Sequence, residues 1–375
     1  MSRAGADWRG SVALVLGSST GGVGKHVASL VRGLVGAGCR VLVCGPAATD
    51  ELFGFSAAGA DFAAVEIPAG PGPQDSGAVR ALRRVLAGRD IDVVHAHGLR
   101  AAFVASLARP AAPLVVTWHN AVLGKGLRAQ ASALVERVVA RAAALTLGAS
   151  EDLVARAASL GARNARLGAV ATPGAMVAKR SRAAVRAEFR LTPDTPLIVS
   201  VGRLHPQKRY DLLIDAAGRW RDLTPAPVTV VAGSGPSYML LAQRASEKRA
   251  RLYLLGHRND VADLLAGADL AVVTSDWEAR QLFAQEALRA GVPLIATAVG
   301  GLPGLVGDAA VLVPPGDVAA LEAAVRDLLA DPVRRADYAA RGPRRAADWP
   351  SEQDTVDDVR AAYAAVTSTA RADHR

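Results

Sequence analysis

A loop of Gly17-Ser18-Ser19-Thr20-Gly21-Gly22-Val23-Gly24 follows a short apolar run, and it offers a ligand little but backbone. A helix beginning near Gly22 would turn free N–H groups and the positive end of its dipole toward an anion. A tight strand-to-helix turn without a ligand is the other reading of the same residues. His95, His97 and His119 close two later apolar runs. His95-x-His97 has the spacing of a metal-ligand pair, but the sequence offers no convincing third ligand, and one pair does not make a zinc site. We read His95 as buried and His97 as facing the ligand. Farther on, Arg203 with Lys208, Gly233-Ser234-Gly235, Asp276 with Glu278, and Gly300-Gly301 each follow an apolar run. Ligands of open parallel sheets bind beyond the carboxyl ends of the strands, where all these groups fall. Such a set suits one ligand that carries phosphate. No Gly-x-Ser-x-Gly elbow and no Cys–His pairing is present, so nucleophilic hydrolase chemistry has no residues to work with.

The elements that must position these groups are short runs rich in Val and Leu, separated by helix-length segments. They are Val12–Leu16, Val41–Cys44, Val93–His95, Leu114–Trp118 and Leu145–Leu147, then Leu197–Val201, Val228–Ala232, Leu252–Leu255, Leu270–Thr274, Pro293–Ala296 and Val311–Val313. Runs apolar on both faces read as strands of a parallel sheet covered by helices, and the intervals leave room for crossover helices. The fold class is therefore α/β, with two Rossmann-like, doubly wound parallel-sheet domains facing each other across a cleft. The first is expected over 1–180 and the second over 190–345. Between them lies a basic cluster, Lys179, Arg180, Arg182, Arg186 and Arg190, which reads equally as a solvated helix face, a linker or a partner site. The tail reads as helices over Val318–Ala330, Pro332–Ala347 and Ser351–Ala365. Trp349-Pro350 marks a break there, and Ser351 a fresh N-cap.

The chain has 375 residues, 51% hydrophobic and 21% charged, which suits two globular domains and excludes a disordered chain. No apolar run is long enough to span a bilayer, and the first one lacks the features of a secretory signal. Cys39 and Cys44 read as ordinary thiols in a reducing cytoplasm. The net charge of +9 comes almost entirely from arginine, as GC-rich coding would give. A basic surface attracts phosphate, whether on nucleotides, nucleic acid or an anionic membrane. Only 4% of residues are aromatic and no groove-reading motif appears, so a nucleic-acid partner is not expected.

Gly21-Gly22-Val23-Gly24-Lys25-His26 resembles the deviant P-loop of ParA-like ATPases, but His26 stands where the magnesium-holding hydroxyl belongs. The dinucleotide fingerprint fails at Val27, where its third glycine belongs. Asp90-Ile91-Asp92 looks like the Asp-x-Asp of a different glycosyltransferase fold, yet it lies at the start of a strand, away from the ligand edge. The second half is more specific. Val201-Gly202-Arg203-Leu204, Lys208 and Asp211–Ala216 resemble the Gly-Arg-Leu…Lys-Gly block of retaining glycosyltransferases of family 4. Glu278, seven residues and Glu286-Ala287 resemble that family's Glu-x7-Glu signature, which runs on through Ala290-Gly291-Val292-Pro293 to Val299-Gly300-Gly301-Leu302-Pro303. Gly233-Ser234-Gly235-Pro236, Asp92–Gly98, Thr117-Trp118-His119-Asn120 and the glycine loop fall in the family's order. Within that family the chain resembles actinobacterial members.

The resemblance implies the GT-B fold, with a C-terminal helix over 346–375 crossing back to the first domain. It implies a cytoplasmic enzyme moving a hexose from a UDP- or GDP-linked sugar, with anomeric retention and without divalent metal or other cofactor. Arg203 and Lys208 would neutralise the donor diphosphate. Glu286 would meet the ribose, Glu278 the donor sugar, Leu282 and Phe283 the nucleotide, and Arg258 and Asp260 the base. Gly22 would approach the diphosphate, His119 would act at the reacting carbon, and His97 would stand on the acceptor side. Glu278 and Glu286 would share one side of a helix, two turns apart. The acceptor, a lipid, glycan or small molecule, is not named by the sequence, and a lipid would suit peripheral contact with the inner face of the membrane through arginines. Three departures stand out: Ala279-Arg280-Gln281 for Gly-Phe-Gly, Gly304 for the usual Glu, and Ala171-Thr172-Pro173-Gly174 for Asn-Gly-Val-Asp. They leave room for a degenerate member. A nucleotide-sugar epimerase or phosphorylase on the same fold, or a basic nucleic-acid-binding protein, are the competing readings.

Overall fold

The computed structural model describes residues 7–19, 21–68, 70, 72–121, 127–171 and 177–373. The chain forms two compact units, dividing at 173/174 and returning to the first unit at 350. The first unit carries β1 (Ser11–Leu16), β2 (Arg40–Gly45), β3 (Asp61–Ala64), β4 (Val93–His97), β5 (Leu114–Trp118), β6 (Leu145–Gly148) and β7 (Ala165–Leu167). Their order in the sheet is β3-β2-β1-β4-β5-β6-β7, and every pairing is parallel. The second unit carries β8 (Leu197–Val201), β9 (Val228–Ala232), β10 (Leu252–Gly256), β11 (Leu270–Val273), β12 (Leu294–Thr297) and β13 (Ala310–Val313), ordered β10-β9-β8-β11-β12-β13. These pairings are parallel too. The central strands are buried on both faces, which is why they are unbroken Val and Leu runs.

Each apolar run read as a strand is one, and two further strands carry no such run. Both β3 (Asp-Phe-Ala-Ala) and β7 (Ala-Arg-Leu) are short edge strands, half-buried or exposed along their length. An edge strand covered on fewer sides needs fewer apolar residues, so the hydropathy signal fades there. The basic stretch after 179 is not a bare linker. Arg182–Glu188 is a helix of the second unit. Its Val185 lies in the core with Leu197. Buried Arg186 pairs with Asp269 at 3.0 Å and donates to the carbonyls of Thr192, Pro193 and Thr195. Arg182 shares Asp269, and Arg180 pairs with Glu188. These three arginines are absorbed by structure.

The last helix, Glu352–Asp373, belongs to the first unit. Ser351 and Asp354 cap it reciprocally: Asp354 N–H donates to Ser351 Oγ at 3.1 Å, and Ser351 N–H donates to the Asp354 carboxylate at 2.8 Å. Val356, Val359, Tyr363 and Val366 recur at helical spacing and enter the core beside the helix Gly22–Gly36. Gly33 of that helix has no room for a side chain, because an added Cβ would come within 2.2 Å of Val356. Tyr363 is fully buried, packs edge-on against Trp8 and places its hydroxyl 2.7 Å from His95 Nδ1. Tyr363→Ala is therefore expected to cost about 3–5 kcal/mol in urea unfolding. Tyr363→Phe keeps the packing and is expected to cost about 1–3 kcal/mol, because the His95 nitrogen loses its partner. Equal losses in the two variants would show that the hydrogen bond, not the packing, holds the helix.

Candidate functional site

In the second unit the loops beyond β8 and β11, neighbours in the sheet, are tied together backbone to side chain. Asp276 N–H donates to the Gln207 carbonyl at 2.8 Å, Gln207 Nε2 to the Trp277 carbonyl at 2.8 Å, and Thr274 Oγ1 to the Lys208 carbonyl at 2.8 Å. This lattice brings the Lys208 ammonium onto the Glu278 carboxylate, where both side chains are largely buried. Ser275 Oγ donates to the same Glu278 oxygen at 2.6 Å. Gly300 holds the Glu278 loop from behind: its φ is +52°, and a Cβ there would lie 2.2 Å from the Glu278 carbonyl. The neighbouring Gly301 N–H donates to that carbonyl at 2.8 Å. A larger residue at 300 would push Glu278 out of place. Close approach also shapes the β8 loop, since a Cβ on Gly233 would meet the Gly202 carbonyl at 1.9 Å.

Arg203 stands apart from this lattice. It is exposed, and among the described residues no carboxylate pairs with it. The two expected phosphate cations thus differ: Arg203 is unpaired, whereas Lys208 is held by an acid. Glu278 and Glu286 do not share a helix. The helix runs Leu282–Arg289, with the Gln281 side chain accepting from Ala284 N–H as N-cap, and Glu278 stands in the loop before it. Glu286 is half-buried on that helix. Leu282 is half-buried, whereas the Phe283 ring is 3% exposed and packs into the hydrophobic core. Arg258 and Asp260 are joined to each other, and Arg258 to Glu188, in an ion-pair network with Arg180 on the same Glu188. Those hydrogen bonds hold Asp260 and Glu188 below the ordinary carboxylate values. The pair braces the helix Arg182–Glu188 rather than standing free for a base.

Arg280 is half-buried, and its Nε and Nη2 are sealed from solvent with no hydrogen-bond partner. Burial lowers its pKa to about 10, helped by the charges of Arg345 and Arg289. Gly304 lies in the helix Leu302–Val306, and a Cβ added to it would have nothing within 4 Å, so the usual Glu would fit there. Thr172–Gly174, of the third departure, lie outside the described residues, as does Thr20 of the glycine loop.

In the first unit, Gly22 opens the helix Gly22–Gly36 and is exposed. Behind it, Gly24 N–H donates to Ser19 Oγ at 3.0 Å. The same helix carries inward a histidine that the phosphate-loop pattern does not mark as functional. His26 lies within ring contact of His97 and His119, at 5.5 and 5.2 Å between centres. His97, expected to face the ligand, is only 2% exposed. Every residue of β4 is buried, because both faces of that strand are covered, and His95 and His97, two apart on it, enter the same layer. Their rings lie 4.1 Å apart. His95 is fixed between the Tyr363 hydroxyl and Thr117 Oγ1, each at 2.7 Å. Burial drives the His26 pKa down to about 4 and that of His95 to about 3, and holds His97 and His119 well below the usual imidazole value. At neutral pH all four rings are uncharged. At the opposite end of the sheet, Asp92 accepts from Ser11 N–H and Asp90 pairs with Arg40, so that Asp-x-Asp is structural.

Two parallel-sheet α/β units, the second with cations and a buried acid at its carboxyl edge, define a GT-B protein. The "Glycosyl transferases group 1" family matches residues 181–345, and the "Glycosyl transferase 4-like domain" matches 21–174. D-inositol 3-phosphate glycosyltransferase of Salinispora tropica is 35% identical over 80% of this chain and 68% of its own length. The enzyme of the same name from Geodermatophilus obscurus is 33% identical over 73% of this chain and 66% of its own. The chain thus spans about two thirds of these relatives. The crystal structure of Anabaena Alr3699/HepE in complex with UDP superposes with a TM-score of 0.77 at 19% identity, over 96% of this chain and all of that one. The chain belongs to the group 1, family 4 glycosyltransferases. No helix among the described residues is long and apolar enough to cross a membrane.

Arg280→Met removes the two buried, unpartnered guanidinium nitrogens and keeps the aliphatic stem. It is expected to raise the stability of the nucleotide-free protein by about 1 kcal/mol, read from the denaturant midpoint. A loss of stability would mean that the guanidinium has an acceptor in solution.

Proposed function

We propose that the protein transfers a hexose from a nucleoside-diphosphate sugar to an acceptor with retention of configuration. The pairing of Lys208 with Glu278, beside unpaired Arg203, carries this reading. An ammonium and a carboxylate in contact and largely out of water cost desolvation, which their mutual attraction offsets. A diphosphate arriving at Arg203 gives Lys208 a stronger, doubly charged partner. Glu278 is then released to accept hydrogen bonds from the hydroxyls of the donor sugar. One exchange of partners seats the phosphates and arms the carboxylate. Glu286, on the helix that follows, serves the ribose.

The charge that develops on the departing phosphate is met by Arg203 and Lys208, preorganised where it appears. No magnesium is needed at that position. No side chain is assigned as a covalent nucleophile, so the acceptor attacks from the face the diphosphate leaves, and the departing phosphate oxygen takes its proton. The relatives named D-inositol 3-phosphate glycosyltransferase favour a small phosphorylated polyol as acceptor, and the UDP complex of the Anabaena protein favours a uridine donor.

Lys208→Ala is expected to weaken donor binding by about 1.5–3 kcal/mol, because a charge-assisted partner of the diphosphate is lost. Unchanged affinity by calorimetry would move the site elsewhere. Transfer by the pure enzyme is expected to survive EDTA, with the product keeping the donor's anomeric configuration by NMR. Turnover abolished by EDTA and restored by magnesium would refute the mechanism. Consumption of donor in the absence of any acceptor would favour an epimerase.

A further inference from the structure

His26, His97 and His119 come from three separate elements: the helix after β1, the end of β4, and the residue beyond β5. They converge in the interior of one unit. One ring nitrogen from each lies within 4.8 Å of the other two, and all three residues are buried. His97 Nδ1 and His119 Nε2 are 3.3 Å apart. Two nitrogens bound to one tetrahedral zinc at about 2.0–2.1 Å would themselves be about 3.3 Å apart. The three ring centres are separated by 5.2, 5.5 and 5.6 Å. Three imidazoles radiating from a tetrahedral ion would place their centres roughly 5 Å apart by the same bond lengths.

The polar groups of this cluster are otherwise poorly served. His97 Nε2 is buried with no hydrogen-bond partner. A single N–H···N bond between His97 Nδ1 and His119 Nε2 uses one lone pair, whereas an ion shared by the three rings uses one from each, His97 through Nδ1 with its proton on Nε2. The rings are neutral, as ligation requires. His95, pinned by Tyr363 and Thr117, packs on His97 and fixes its plane from behind. In the sequence His95 and His97 form a pair with no third ligand. The fold supplies the missing donors from His26 and His119, and it turns His95 away to a supporting role.

We propose that His26, His97 and His119 bind one divalent transition ion of zinc type, with the fourth position open to water or a ligand. Three nitrogen donors without a carboxylate suit zinc or cobalt, and not magnesium or calcium, which take oxygen. The ion sits on histidines of the first unit and not at Lys208 and Arg203, so its binding is read without nucleotide and stands or falls apart from the donor site.

The test uses the full chain, stripped of metal and titrated with cobalt(II) without nucleotide or acceptor. The expected result is one equivalent bound, with the intense visible absorption of four-coordinate cobalt, displaced by zinc and unaffected by excess magnesium. His26→Ala should weaken binding at least tenfold and remove that absorption. His26→Gln gives a second variant of similar bulk, and circular dichroism establishes that each is folded. His205→Ala and His257→Ala, exposed and in the other unit, should bind as the parent does. A weak six-coordinate spectrum, or binding undiminished in folded His26→Ala and His26→Gln, overturns the proposal. Loss of binding in His257→Ala would do the same.

Discussion

The contact between Lys208 and Glu278 is the constraint on which the second unit's site rests. It joins loops from neighbouring strands β8 and β11, so it exists only while those strands hold parallel register. The hydrogen bonds among Gln207, Asp276 and Trp277 align the loops on which the charges meet. Gly300 and Gly233 then matter for the space they leave, since a side chain at either would collide with a carbonyl of the loop it supports. An ion pair set so firmly without ligand is a site already in shape. Binding there needs an exchange of partners rather than a search of conformations.

The first unit organises its polar groups differently. Its interior holds four neutral imidazoles layered against Tyr363 of the last helix. Neutrality follows from burial, and burial follows from β4 and β5 lying at the middle of a seven-stranded sheet. The last helix is thus more than a cover. It supplies the hydroxyl that fixes His95, which in turn sets the plane of His97, so the helix and the histidine layer are one structure.

Much of this is legible in the residues, and the failures have physical causes. Strands buried on both faces announce themselves as Val and Leu runs, while β3 and β7 do not because an edge strand is only partly covered. Ser351 as N-cap is visible, since Ser-x-x-Asp at a helix start is a local pattern. Arg203, Lys208, Glu278 and Glu286 are readable through the order of the family's motifs. The pairing of Lys208 with Glu278 is not, because spacing along a chain says nothing about which charges meet across loops. Phe283 looks like a nucleotide neighbour by position, but its side of the helix faces the core. Arg258 and Asp260 find partners, Glu188 and Arg180, in a segment that reads as a linker. His26 reads locally only as a failed magnesium ligand in a phosphate loop. Its true neighbours lie about 70 and about 90 positions away in the chain, a distance no local pattern spans.

The most direct test of the donor site is a thermal-unfolding series with UDP, GDP and ADP, on the parent and on Arg203→Ala. A ligand at about 100 times its dissociation constant stabilises by about 2.7 kcal/mol, enough to move the midpoint by several degrees. The expected result is a shift selective for one nucleotide, largest for UDP, and lost or strongly reduced in Arg203→Ala. The absence of any shift in the folded parent, or a shift that Arg203→Ala leaves intact, would contradict it.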